Sequence, residues 1–348
     1  MADREGVARA SWPITMTDLG VLAGSFAAAL VRVPLRRPWT REGPLLENAA
    51  IATTREAIRA FMGFASSLPI EEWRAVELVL DDLCRMLLPP VNDARGVETE
   101  SAVVAGVPGV WYRLRDGDPR GTVLYLHGGG YIGTSPRMYA LFIAALCRLT
   151  GCEFFVADYR LAPEFPFPAG LEDAALVFEA LLHESDDPGR VFLAGDSSGG
   201  GLVGTLLFAK AATGLPPIGG VVLFSPEVDL DLDDASVSDN AALDILPWNI
   251  PTAPYLHGRD PDAPAVSIVR QDVSGWPPTF VAYGGDEMFR DAIRRFSTNL
   301  RVAGVETEAH EEPVMFHVFP ILMPWAAPSR RAFASLRDFV DKQLLRTR

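Results

Sequence analysis

Residues 190–201 read RVFLAGDSSGGG, and this stretch decides the fold. Val191, Phe192, Leu193 and Ala194 predict a short buried strand. Gly195-Asp196-Ser197-Ser198-Gly199 follows as a G-x-S-x-G turn, and helix formers run from Leu202 to Ala212. Strand, tight turn and helix in that order are what a nucleophile elbow requires. A serine on so sharp a turn holds strained backbone angles, and the glycines beside it keep side chains away. Its hydroxyl then stands open to a base and to a substrate carbonyl. Ser197 is the candidate nucleophile.

Outward from the elbow the same pattern repeats. Continuous apolar runs at 122–126, 153–157, 191–194, 221–224 and 279–283 suit a parallel sheet covered on both faces. Helical stretches at 136–149, 171–183, 202–212 and 289–303 fall between them, which predicts a doubly wound, mostly parallel α/β sheet. Ahead of it, Ala102–Ala105 and Val110–Leu114 read as a strand pair turning at Pro108-Gly109. The segment from Glu227 to Trp276 is rich in Asp and Pro and too long for a plain connection, which gives it a functional or lid-like role.

The first hundred residues are helical in pattern. Ile51–Gly63 and Ile70–Leu88 read as helices, the second stopped by Pro89-Pro90, and the linker from Pro89 to Gly96 is the expected boundary. Leu19–Val31 is almost wholly apolar and is followed by Arg32, Arg36, Arg37 and Arg41. It is shorter than the ~20 apolar residues of a membrane span, and a leader with Asp3 and Glu5 against Arg4 and Arg9 does not suit a secretory signal, which needs a positive one. A cap helix on the body is the favoured reading, with contact at a membrane surface the rival.

A formal net charge of −14 leaves no basic stripe for phosphates, so nucleic acid is excluded as a partner. A hydrophobic content of 49% supports a large core. Cys84, Cys147 and Cys152 form no disulfide framework or zinc spacing, and the five histidines include no H-x-x-x-H pair, so neither metal nor cofactor is expected.

The serine needs oxyanion donors, a base and an acid. His127-Gly128-Gly129-Gly130-Tyr131 directly follows the first parallel strand, where backbone N–H groups can be fixed in advance for a developing oxyanion. His127 precedes the serine and is expected to hold that loop by hydrogen bonding. The order Ser, Asp/Glu, His leads to Asp286, after the strand ending in Gly284-Gly285, with Asp229 and Asp231 as weaker alternatives and Asp291 as a cap or ion-pair partner. Two histidines follow Asp286. His310 lies in an alternating strand pattern, whereas His317 lies beyond that strand and is the favoured base.

Five ordered motifs, HGGGY (127–131), DYRLAPE (158–164), GDSSGG (195–200), GDEMFRD (285–291) and HVF (317–319), resemble the hormone-sensitive-lipase family of α/β-hydrolases, the branch of bacterial esterases with HGGG and GDSAG-type motifs. The resemblance implies an α/β-hydrolase fold with a helical cap over residues 1–95 and a catalytic domain over 96–348. It implies a Ser197, Asp286, His317 triad and an oxyanion hole from Gly128, Gly129, Gly130 and Ser198, with no cofactor. Three departures stand out: Ser198 for the usual alanine, Asp286-Glu287-Met288 for D-P-L, and Val318 for the glycine after the histidine.

The function expected is hydrolysis of short-to-medium acyl esters through an acyl-enzyme, with an acyl pocket beside Tyr131. An arylformamide, lactone or carbamate could use the same site. A membrane-surface lipase and a catalytically silent small-molecule receptor are the readings from other classes. The expected partner is a small-molecule ester, with a homodimer left open, and the expected location is cytoplasmic.

Overall fold

Five fully apolar strands can be satisfied only inside a sheet with both faces covered, and the chain builds that sheet. The computed structural model describes residues 7–33, 44–211, 214, 217–247 and 252–346. Eight strands are present: β1 (Val97–Val104), β2 (Val107–Leu114), β3 (Thr122–Leu126), β4 (Glu153–Ala157), β5 (Val191–Asp196), β6 (Gly220–Phe224), β7 (Thr279–Gly284) and β8 (Thr307–Glu312). Their order is β1-β2-β4-β3-β5-β6-β7-β8, antiparallel from β1 to β4 and parallel from β4 to β8.

Because strand side chains alternate, each strand feeds two cores. Leu124 and Leu126 of β3 join one core with α5 (Ala169–Glu184), α6 (Ser197–Ala211) and α9 (Arg290–Val302). Val123 and Tyr125 join the other, with α4 (Ala140–Thr150) and α11 (Ala327–Leu345). The parallel strands all end at one edge, where ligands bind in open α/β sheets.

The N-terminal part forms three long helices, α1 (Trp12–Arg32), α2 (Leu45–Ala65) and α3 (Ile70–Asp93). Leu22, Phe64, Trp73 and Val76 make a small core between them. Three sequence expectations are corrected here. First, α3 runs through Pro89 and Pro90. Both prolines are exposed, so the carbonyls they leave unpaired can be hydrated, and Asn92 anchors the last turn by donating Nδ2 to the Ala140 carbonyl at 3.2 Å.

Second, the hairpin turns at Ala105-Gly106, with φ +49° and +85°, instead of at Pro108-Gly109. Two positive-φ residues are what a two-residue hairpin turn demands. Third, α1 begins at Trp12 and has 21 residues, with an 18-residue stretch of mean hydropathy 1.6, long and apolar enough to cross a bilayer by length and composition. One face nonetheless buries Thr15, Asp18, Leu22 and Ala29. Arg36, Arg37, Trp39, Arg41 and Ala212 lie outside the described residues.

The helices dock on loops at the catalytic edge. Arg74, 1% exposed, pairs with Glu77 and Glu164 and donates to the carbonyls of Ile132 and Ala162. Arg59 donates to the carbonyls of Ala241 and Asp244 at 2.7 and 2.8 Å. Arg55 donates to the Val314 carbonyl at 2.9 Å. The DYRLAPE stretch thus contributes ion pairs, through Glu164 and through Arg160 with Asp173.

Candidate active site

The turn from β5 into α6 places Ser197 at φ +50°, a left-handed conformation that non-glycine residues seldom adopt. Gly199 is required for space: a Cβ there would collide with the carbonyl oxygens of Leu126 and His127. The helix can therefore start hard against the end of β3. Ser197 Oγ lies 2.9 Å from His317 Nε2.

His317 is 2% exposed and sits between β8 and α10 (Phe319–Leu322). Its own N–H donates to Asp244 Oδ1 at 2.9 Å, and the N–H of Val318 donates to Ser225 Oγ at 3.0 Å. Val318 takes φ +49°, the left-handed region that favours glycine, so the loop holds strain in a β-branched residue. Phe289 meets the imidazole edge-on at 5.0 Å. Burial lowers the His317 pKa, partly opposed by the charges of Asp244 and Asp196. His310 is occupied elsewhere, 3.1 Å from Glu312.

The carboxylate that comes near the imidazole is not the expected Asp286. The Asp286 carboxylate lies 3.6 Å from the Arg55 guanidinium. The next residue, Glu287, is fully buried, with Oε2 3.7 Å from His317 Nδ1. Gly284 donates its N–H to the same oxygen at 3.3 Å. Both residues lie in the turn after β7, whose path brings the Glu287 carboxyl to the imidazole and the Asp286 carboxylate to Arg55. Burial pushes the Glu287 carboxyl up to about 8, against hydrogen bonds from Ser225 and Gly284. The 3.7 Å separation is long for a hydrogen bond, as in many unliganded sites where such contacts tighten with substrate.

Asp229 pairs with Arg295 and Arg270, Asp231 with Arg270, and Asp291 with Arg290, none of them near His317. Asp229, Asp233 and Asp234 are the one group of three with metal-ligand spacing among the described residues. Arg295 already bridges Asp229 and Asp234.

Asp244 was invisible in the sequence. It lies in the long segment after β6, fully buried, and its carboxylate accepts the N–H groups of His317 at 2.9 Å and Met288 at 2.7 Å. One side chain thereby ties the histidine loop to the acid loop.

In the glycine loop a second correction applies. The N–H of Gly128 is engaged within the protein, 2.9 Å from Asp196 Oδ1 and 3.0 Å from the Tyr139 hydroxyl. The N–H groups of Gly129, Gly130 and Ser198 have no acceptor among the described residues. Gly129 at φ +122° needs to be glycine, and Ser198 opens α6, where helix N–H groups lack intrahelical partners. Asp196, the residue before the serine, organises this corner. Fully buried, it also accepts from the hydroxyls of Tyr125 at 2.8 Å and Tyr139 at 2.9 Å. Burial raises its pKa to about 6. His127 holds the loop as expected, with Nδ1 2.9 Å from the Gly128 carbonyl and 2.8 Å from Thr134 Oγ1. Tyr131 is a third correction: its ring is buried and stacked on Tyr255 at 3.7 Å, packed into the body beneath the loop.

A serine, a buried neutral imidazole and a second carboxyl in line, facing unpaired N–H groups, can carry out acyl transfer. Residues 123–321 match the family model described as the alpha/beta hydrolase fold. An acetyl-hydrolase of Streptomyces hygroscopicus is 37% identical over 64% of this chain and 75% of its own length. Carboxylesterase NlhH of Mycobacterium tuberculosis is 32% identical over 64% of this chain and 75% of its own. Among solved structures, an esterase of the bacterial hormone-sensitive lipase family aligns over 96% of this chain and 99% of its own, at 30% identity and TM-score 0.69. The hormone-sensitive-lipase homologue EstE7 from a metagenome library covers 84% and 98%, at 29% identity and TM-score 0.73. The matched residues are more than half of the chain, and the chain belongs to the α/β-hydrolase family, in its hormone-sensitive-lipase branch of esterases.

Proposed function

We propose that the protein is a serine carboxylic-ester hydrolase whose triad is Ser197, His317 and Glu287 and whose oxyanion donors are the N–H groups of Gly129, Gly130 and Ser198. The observation that carries the reading is the 2.9 Å contact between Ser197 Oγ and His317 Nε2. As Oγ attacks the ester carbonyl, its proton passes to Nε2, and the imidazolium is held by the carboxyl at Nδ1. The carbonyl oxygen takes the charge and receives the backbone N–H groups, which are fixed beforehand. Nε2–H then protonates the leaving alcohol. Water repeats the sequence on the acyl-enzyme and frees the acid.

Helices α1 to α3 act in this reading as a cap. The docking of α2 and α3 on the glycine, acid and histidine loops supports a bounded acyl pocket and hence short-to-medium acyl chains. Labelling with a fluorophosphonate tests the nucleophile: one adduct on Ser197, absent in Ser197→Ala, is expected with p-nitrophenyl butyrate turnover. A labelled residue other than Ser197 refutes the assignment.

A further inference from the structure

Glu227 is a buried titratable group beside the nucleophile that the triad leaves unused. It follows β6 by three residues, and its N–H donates to the carbonyl of Ser197 at 2.8 Å. Its side chain is 1% exposed, and among the described residues Oε1 has no hydrogen-bond partner. Tyr255, 4% exposed, likewise holds its hydroxyl without a partner among them. Tyr131 stacks on Tyr255 at 3.7 Å, and the charge of Glu227 raises the pKa of both tyrosines. Space is tight beside α6, since a Cβ on Gly201 would strike both the Tyr131 hydroxyl and the Glu227 carbonyl.

Buried polar groups are almost always paired, because an unpaired one forfeits its hydration without recompense. Two such groups, one beside the nucleophile's own backbone and the other stacked on the last residue of the glycine loop, have the character of a ligand subsite. We propose that the Glu227 carboxyl and the Tyr255 hydroxyl form a polar subsite that accepts a hydroxyl or amine hydrogen-bond donor carried by the ester substrate. The proposal rests on the esterase reading of Ser197. Burial alone pushes the Glu227 carboxyl up to about 8, so at neutral pH it meets a hydroxyl as a neutral partner, whereas a substrate ammonium favours its carboxylate and the proton is released to solvent.

The test is kinetic, with matched esters. On the acyl side, p-nitrophenyl butyrate is compared with p-nitrophenyl 3-hydroxybutyrate and p-nitrophenyl 3-aminopropanoate. On the alcohol side, propyl butyrate is compared with 2-hydroxyethyl butyrate. The wild type should favour the donor-bearing member of at least one pair in kcat/KM. Glu227→Leu should reduce that ratio about tenfold or more, the loss of one buried hydrogen bond. Tyr255→Phe should reduce it less. Should Glu227→Leu fail to fold, Glu227→Gln serves: it should keep a hydroxyl preference and lose an amine preference. Ratios unchanged in Glu227→Leu, or, where that variant fails to fold, an amine preference unchanged in Glu227→Gln, overturn the subsite. So does a wild type that favours no donor-bearing ester while it hydrolyses the neutral ones. Failure to hydrolyse any ester, with Ser197 unlabelled, overturns the esterase reading instead.

Discussion

Arg55 of α2 lies 3.6 Å from the carboxylate of Asp286, so the acid that chain order singles out pairs with the N-terminal helices and not with His317. Glu287, one residue on, occupies the histidine's other side.

This exchange predicts opposite phenotypes for adjacent residues. Glu287→Ala should lower kcat by about 10³–10⁴-fold with KM little changed, the scale on which triad acids act. Asp286→Asn should keep kcat within about tenfold and lower Tm by a few degrees, because about 1 kcal/mol shifts Tm by 2–4 °C in larger domains. Steady-state kinetics and thermal melts on both variants decide the matter, and a larger kcat loss in Asp286→Asn would restore it as the acid.

The pH profile should rise in two steps. His317 must be neutral to take the serine proton, and burial lowers its pKa, so the base stays competent below the ordinary histidine value. The acid limb of kcat/KM should therefore have its midpoint below about 6.5. Glu287, pushed up to about 8, stabilises the imidazolium better once ionised, which adds a second rise in mildly alkaline buffer. Glu287→Gln should lose the upper step and keep the lower one. A single limb with its midpoint above 7 in both proteins would contradict this assignment.

Asp244 should behave as a positioning residue. Asp244→Ala releases the N–H groups of His317 and Met288 together, so both loops lose their common anchor. A misplacement of about 1 Å in such a site costs on the order of 10²-fold in rate. We expect kcat to drop by that order with Ser197 still open to slow fluorophosphonate labelling. Native turnover in a folded Asp244→Ala protein would remove the role.

Chain length should show a maximum. Each methylene buried in an apolar pocket contributes about 0.8 kcal/mol, so kcat/KM for p-nitrophenyl esters should climb and then fall once the pocket is full, at about four to eight carbons for ordinary ligand pockets. Undiminished rates on emulsified long-chain triglycerides would contradict a bounded pocket.

Much of this was legible in the residues themselves, for identifiable reasons. A strand buried on both faces must be apolar throughout, so β3, β4, β5, β6 and β7 announce themselves with little error at their ends. Ser197 and His317 were legible because an elbow and a post-strand loop have local signatures. The acid was not, since which of two neighbouring carboxylates turns inward is set by the backbone path after Gly284-Gly285 and by Arg55, more than two hundred residues away. Asp244 had no signature at all. Its function lies in two backbone amides, and any buried acceptor there would read as one more Asp in an acidic segment. The hairpin misled for a related reason: Pro108-Gly109 is the stronger turn signal, but Pro108 opens β2 opposite Val103 and Ala105-Gly106 makes the turn.

The three arginine bonds from α2 to the catalytic edge also bear on how the chain folds. They join residues 259, 185 and 182 positions apart. Contacts so distant form late, because the loop entropy of everything between them must be lost first. On the ribosome, α2 emerges long before Asp244 and Val314 exist. It waits with its guanidinium groups unanswered until the last third of the protein arrives. Assembly of the acid and histidine loops is therefore the closing event of folding, and a nascent chain halted before β8 holds its nucleophile without the machinery to use it.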